Sequence, residues 1–325
     1  MRLRKGLAGR FLKRSIFAGM LMQMASVPPM RAQWGTAINP ATTPQTAPMT
    51  AQEQKNLDMV LQWWREVIEG LHTELSEKYQ AADYIQHNPN IPTGRAAFIK
   101  VFSSLGPPVD PMPTELKQPP VVKGAKGDFV WLIFEYEIKD PRDPSKTYHL
   151  NTFDILRIQN GQVQEHWDSS RKFPGSPDFV PSTAPGPSTW NTGKLSAEEQ
   201  RNVGLATEEF KDMLQYGHLE LADKTMDAGY IQHDPNVAQG RDGFKQYMSH
   251  LVGVPEEINP TWKYAPVLTL ADGPYVLMMW DRTEKDPVDA TKEYIRNHFD
   301  VLRIESGTEK EHWDEGQIRP PAKVK

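Results

Sequence analysis

Leu57, Val60, Leu61, Trp64, Val67, Ile68 and Leu71 recur at the three- and four-residue steps of one helix face. Just before them, Thr50-Ala51-Gln52-Glu53 reads as a capping box, in which the Thr and Glu side chains satisfy the helix's first free amides. A second short helix is expected over Glu74–Ala82. A third, carrying Phe98, Val101 and Phe102, should start after Gly94. The period then shortens to two. Phe129–Ile138, Tyr148–Ile158 and Gln162–Asp168 read as strands, with Lys139–Pro141 and Asn160-Gly161 as turns between them. Tyr84–Asn90 reads as a connection ended by proline, and Pro107–Pro120 as a proline-rich loop. Helices followed by an antiparallel meander give an α+β arrangement, with the helices laid on one face of a sheet.

The whole pattern occurs twice, 146 positions apart. From Tyr84 to Phe98, 9 of 15 residues match the segment from Tyr230 to Phe244, far above the one or so that chance gives. Ser196-Ala197-Glu198-Glu199 repeats the capping box, and Val203, Ala206, Phe210, Met213 and Leu214 repeat the helical spacing. Phe299–Ile304 repeats Phe153–Ile158, and Glu311–Asp314 repeats Glu165–Asp168. A period this long makes each copy a domain with its own core, not a solenoid unit. The division expected is a targeting segment over 1–32, a spacer over 33–49, domains over 50–168 and 196–316, a proline-rich linker over 169–195 and a basic tail over 317–325.

Charge separates the N-terminus from the rest. Residues 1–52 hold seven Lys/Arg and no Asp or Glu, which leaves 30 Lys/Arg against 42 Asp/Glu beyond residue 32. An acidic body of this kind repels phosphate backbones, so nucleic acid is not an expected partner. The basic start and the apolar stretch Ile16–Val27, with Ala32 before a cleavage point, read as an export signal; an uncleaved anchor or an organelle transit peptide are the alternatives. That stretch is too short for an ordinary membrane span, and no integral membrane association is expected. With no cysteine in the chain, disulfides, thiol catalysis and thiolate–metal sites are excluded.

Tyr-Ile-Gln-His-x-Pro, Gly-Arg-x-x-Phe, Phe-Asp-x-Leu-Arg-Ile and Glu-His-Trp-Asp together resemble the SnoaL-like branch of the nuclear-transport-factor-like (cystatin-like cone) superfamily. The resemblance covers both copies, from about Gln52 and Glu198 to Asp168 and Asp314. It implies a curved sheet wrapped on helices around an apolar pocket. It also implies a late-strand aspartate acting as acid/base beside a histidine, as in the polyketide cyclases, with no metal or organic cofactor. The same cone also hosts purely structural proteins, so the fold does not fix the function.

Strand alternation puts Asp154, Leu156 and Ile158 on one face and Phe153, Ile155 and Arg157 on the other; His166 and Asp168 share a face opposite Trp167. The catalytic candidates are therefore Asp168, Asp314, His166, His312, Asp154 and Asp300, with His298 where the first copy has Thr152. The ligand-binding candidates are His87, His233, Tyr84, Tyr230, Arg95 and Arg241. Four of them carry a second reading: His87 and His233 as turn-stabilising groups, Arg95 and Arg241 as structural partners of Asp154 and Asp300. His-x-Asp has a donor set for a metal, but no third ligand stands at a recognisable spacing, so none is expected. The resulting expectation is a small apolar carbonyl ligand, handled by cofactor-independent proton transfer, with non-catalytic ligand binding as the alternative. The two domains are expected to pack through their sheets as an intrachain pseudo-dimer.

Overall fold

The structure is a computed structural model that describes residues 45–178 and 187–318. The expected targeting segment and basic tail fall outside these residues, apart from the first two positions of the tail. Among the described residues no helix is long and apolar enough to cross a membrane.

The first copy opens with α1 (Ala51–Trp63), which runs into a π-helical turn at Trp64–Glu69. A short α2 (Ser76–Tyr79) leads into β1 (Gln80–Gln86), and α3 (Arg95–Phe102) follows. Next come β2 (Val122–Lys126), β3 (Phe129–Asp140), β4 (Asp143–Gln159) and β5 (Gln162–Asp168). The second copy repeats this as α4 (Ala197–Thr207) with a π turn at Glu208–Met213, α5 (Ala222–Thr225), β6 (Met226–Gln232) and α6 (Gly240–Met248). Its remaining strands are β7 (Leu268–Asp272), β8 (Tyr275–Lys285), β9 (Glu293–Glu305) and β10 (Thr308–Asp314). The two sheets have matching strand orders, β1-β5-β4-β3-β2 and β6-β10-β9-β8-β7.

Two elements differ from expectation. Tyr84–Gln86 is not a connection but the end of β1, which pairs parallel with β5 at the sheet edge, so the sheet is not a pure meander. β2, short and carrying two lysines and a glycine, lacks the branched and aromatic run by which a strand is recognised.

Both capping boxes form. Glu53 Oε2 accepts from Thr50 N at 2.8 Å and Glu199 Oε2 from Ser196 N at 2.7 Å. The other oxygen of each carboxylate accepts from Gly127 N (2.8 Å) or Gly273 N (3.0 Å), so each helix start is tied to the β-turn of its own sheet. Both glycines sit at positive φ, +59° and +63°. A Cβ at Gly127 would lie 2.2 Å from the Asn191 carbonyl oxygen, so the turn requires glycine.

Each sheet has two buried faces. Leu156, Ile158, Val130 and Leu132 face the helices, together with Leu57, Val60, Trp63 and Phe98. Phe153, Ile155, Trp131 and Trp167 belong instead to one buried cluster shared with Leu277, Phe299, Val301 and Trp313 of the other sheet. Phe153 stacks on Phe299, its own equivalent, at 5.6 Å and 5°. Asn151 Nδ2 donates to the Asp314 carbonyl and Asn297 Nδ2 to the Asp168 carbonyl, each at 3.4 Å. Trp190, from the segment expected as linker, packs edge-on against Trp167 at 5.3 Å.

Candidate functional site

On the helix-facing side of the first sheet, antiparallel register sets Asp154 opposite Asp168 and Leu156 opposite His166. His166 Nε2 lies 2.8 Å from Asp154 Oδ1, and its Nδ1 lies 3.1 Å from the Tyr84 hydroxyl. Gln86 Nε2 donates to that hydroxyl at 2.9 Å. Asp168 is held separately, accepting from Asn88 Nδ2 at 2.7 Å and Ser170 N at 2.9 Å. All of these side chains are buried. Trp63 stands edge-on to the imidazole at 6.2 Å and is itself fully buried, so it fills the space over the histidine.

Burial raises Asp154 to about 6, with His166 opposing the rise and the Asp168 charge adding to it. Burial alone would lower His166, but the bond and charge of Asp154, helped by Asp168, leave it above its ordinary value. The Tyr84 phenol is pushed far up by burial and by both aspartates, so it stays a hydrogen-bond donor at any ordinary pH.

In the second copy, His312 Nε2 lies 2.9 Å from Asp300 Oδ1, while Gln232 Oε1 approaches His312 Nδ1 at 3.1 Å. The surroundings differ. His298 Nε2 is 3.0 Å from Asp300 Oδ2, and its Nδ1 bonds Glu315, which stands where the first copy has Ser169. Arg296 Nη2 donates to the same Glu315 oxygen at 2.5 Å. Burial opposes the charge on His298, but Glu315 and Asp300 outweigh it and push the imidazole up to about 10. Burial would raise Asp300, yet its two histidines hold it well below the usual carboxylate range. Asp314 moves the other way, raised far up by burial and by the nearby charges of Asp234, Asp300 and Glu315.

A further carboxyl pair belongs to this copy alone. Glu209 occupies the position of Trp63, and Glu309 that of Val163. Both are fully buried, and Glu209 Oε2 and both Glu309 oxygens find no donor among the described residues. Burial raises both groups, Glu309 to about 7, and each carboxyl acts on the other. Two carboxyls in contact without other donors hydrogen-bond only if one of them carries a proton. Aligning the copies exposes this pair, because Glu209 falls three residues after Ala206, on the face where the helical pattern calls for an apolar residue.

The six catalytic candidates therefore come together, three in each cone. One donor atom from each of Asp154, His166 and Asp168 lies within 4.8 Å of the others, and the same holds for Asp300, His312 and Asp314. Each trio could hold a metal ion. The third ligand, unseen from the sequence spacing, comes from the neighbouring strand, where register replaces sequence proximity.

Of the ligand-binding candidates, only Tyr84 and Tyr230 lie with these groups. His87 and His233 turn to the opposite face of the sheet, where they stack on Trp167 and Trp313 at 4.7 and 4.9 Å. There His87 Nε2 lies 2.9 Å from Glu165, and His233 Nε2 2.7 Å from Glu311. Arg95 and Arg241 do not reach Asp154 or Asp300. Each lies in the first turn of the third helix of its copy: Arg95 Nη1 donates to the Gln80 carbonyl at 3.0 Å, and Arg241 lies 3.4 Å from Asp223. A cavity of about 490 Å³, lined by Ala47, Lys126, Leu195, Glu199 and Gly273, lies where the two copies meet and touches none of the candidates.

Solved structures similar in fold to this chain include SnoaL-like and NTF2-like proteins. An NTF2-like protein of unknown function from Mesorhizobium loti aligns at 12% identity, covering 38% of this chain and 96% of its own, with a TM-score of 0.28. A candidate SnoaL-like polyketide cyclase from Jannaschia sp. CCS1 aligns at 14% identity over 37% of this chain and 88% of its own, with a TM-score of 0.27. An LEH-like epoxide hydrolase from M. tuberculosis aligns at 10% identity over 36% and 83%, with a TM-score of 0.26. No family model and no curated protein matches the chain. At such identities the likeness is one of fold and says nothing of substrate or reaction.

Proposed function

We propose that this chain is an exported, two-cone SnoaL-like protein that binds a small, largely apolar carbonyl compound and moves a proton on it without an organic cofactor. The observation that carries the reading is the imidazole–carboxylate pair on the inner sheet face of both cones, 2.8 Å in one and 2.9 Å in the other, beside a second aspartate. A buried carboxyl that titrates near neutrality can take a proton from the carbon next to a carbonyl, and a phenol that stays protonated can donate to the resulting enolate oxygen. Aldol-type cyclisation, isomerisation and dehydration all share this step.

The geometry favours Asp154 over Asp168 as the base of the first cone. Asp168 has both oxygens occupied, accepting from Asn88 Nδ2 on one and from Ser170 N on the other, whereas Asp154 is paired with His166 through one. In the second cone Asp300 is the fixed carboxylate between two histidines, and Asp314 is the group kept protonated as an acid. We further propose that the reciprocal Asn151 and Asn297 contacts mark a fused, originally symmetric dimer interface. A binding or structural role for the first cone is the second reading, favoured by Trp63 over its imidazole.

The test begins with native mass spectrometry of protein purified from its host, to identify the bound compound. Deuterium exchange from solvent into that compound is then followed by NMR. Wild-type protein should catalyse exchange, and Asp154→Asn with Asp300→Asn should lower the rate at least about a hundredfold. An unchanged rate in the folded double variant would return the role to Asp168 and Asp314. N-terminal sequencing of protein from the native cell fraction tests export: a start between Ser26 and Trp34 supports it, and intact Met1 in the cytosol refutes it.

A further inference from the structure

The Glu209–Glu309 pair has no use in the proton transfer just described, yet burying two carboxyls without donors is costly. Two carboxyls with unmet acceptors are buried where the sister cone holds an indole and a valine. Unsatisfied buried polar groups destabilise a fold, more so when charged, so a merely structural core has no reason to keep them. The Tyr230 hydroxyl gives a second, independent sign. It is fully buried and has no partner among the described residues, whereas the equivalent Tyr84 hydroxyl is met by both Gln86 and His166. Tyr230 packs in one buried cluster with Phe210, which follows Glu209 in the chain, and with Ile304, which faces Glu309 across the ladder; burial and the charges of both glutamates push its phenol up.

The π turn Glu208–Met213 delivers Glu209, and such turns recur at functional sites. Aromatic rings lie close by in the same buried cluster: Phe210, next to Glu209 in the chain, meets Trp280 edge-on at 5.1 Å, and Tyr230 meets Phe244 at 6.0 Å. Acceptors without donors, set among aromatic faces, suit a group that is both cationic and rich in hydrogens.

We propose that Glu209, Glu309 and Tyr230 form a binding site for a protonated amine carried on an apolar body. This site deepens the reading of the second cone as a ligand chamber and rests on it. In the absence of an amine the two carboxyls share one proton. On binding, the ammonium donates to the carboxylate oxygens and the shared proton leaves to bulk solvent. Glu208 from the same turn, Asp300 from β9, His312 from β10 and Tyr230 from β6 are the other titratable groups facing the pair. Proton release therefore accompanies binding below neutrality and fades above it, and affinity rises with pH to a plateau.

Calorimetry on the full chain tests this with benzylammonium chloride and its neutral counterpart benzyl alcohol, in two buffers of different ionisation enthalpy. Benzylammonium should bind at least about tenfold more tightly than the alcohol and release a proton. Glu209→Gln and Glu309→Gln should each weaken it at least about tenfold and abolish the release, while Trp63→Phe in the first cone changes neither. Equal binding of alcohol and ammonium, or no ammonium binding to folded wild-type protein, overturns the proposal without needing a variant. If the ammonium fails to bind while carbonyl exchange persists, this site alone is lost. If exchange survives the Asp154 and Asp300 changes while the ammonium still binds, only the acid–base assignment is lost.

Discussion

The first cone is insulated and the second is charged, although both have the same strand order and the same His–Asp pair. Around His166 the neighbours are Trp63, Tyr84, Gln86, Asp154 and Asp168, and burial shifts Asp154 toward neutrality. Around His312 stand Asp300, His298, Glu315, Arg296 and the Glu209–Glu309 pair. Identical backbone positions thus give opposite electrostatics. The aspartate bonded to histidine is raised in the first cone and lowered in the second, because His298 replaces Thr152. The lesson is that a titration state belongs to the neighbourhood, so a motif repeated perfectly can carry two chemistries.

The largest contrast should appear in catalysis. Single Asp154→Asn and Asp300→Asn variants, assayed by solvent exchange, should lose about a hundredfold or more only in the cone that works. If the first cone contributes, its share should rise with pH through about 6, where buried Asp154 gives up its proton. A rate set by the Asp300 cone alone should show no such step.

Stability comes next. Glu315→Ala removes the buried carboxylate that His298 and Arg296 share, leaving them Asp300 and Glu284, and should destabilise by about 3 kcal/mol in urea unfolding. Ser169→Ala at the matching position removes only an acceptor for Phe153 N and should cost about 1 kcal/mol. Equal losses would mean that the second network is not tighter than the first.

Glu309→Val restores the first copy's residue and should stabilise by about 1–3 kcal/mol at neutral pH. Here the sign follows from the raised carboxyl. Wild-type protein holds more protons folded than unfolded between the ordinary glutamate value and about 7, so its stability falls as pH rises through that window. The gain from valine should therefore be small at acid pH, grow to about pH 7 and then level off. A gain independent of pH would argue for packing instead of charge.

The smallest effect is a matched one. Thr50→Ala and Ser196→Ala should each cost about 1 kcal/mol, because the two capping boxes have the same geometry. A large inequality would show that helix starts have diverged along with the interiors.

Much of the architecture could be read from the chain because period and caps are local. The alternation in Phe153–Ile158 sorted inner from outer residues correctly, and Glu53 and Glu199 marked both helix starts. What escaped depended on partners distant in sequence. β1 is polar and pairs parallel at an edge, so Tyr84 read as part of a turn. Arg95 was linked to Asp154 by charge alone, yet the helix it starts lies outside the sheet, and the Gln80 carbonyl is nearer. The site trio was legible as residues but not as a trio, since Asp154 reaches Asp168 only through strand register. Glu209 sat in plain view inside a helix pattern that tolerates one glutamate; only its alignment with Trp63 gives it meaning.

Phe153 lying flat on Phe299 has a consequence for how the halves could come to differ. In an assembly of two identical chains, every substitution appears on both sides of the axis, so a glutamate pair that suits one interior is forced on the other. Joining the halves in one polypeptide removes that constraint: Glu209 and Glu309 enter one cone while Trp63 and Val163 keep the other packed. It also fixes the ratio of the two kinds at one to one and makes their pairing independent of dilution. If the interface is the fused dimer proposed above, the stacked ring pair is the point where the old symmetry still holds while the interiors on either side have stopped obeying it.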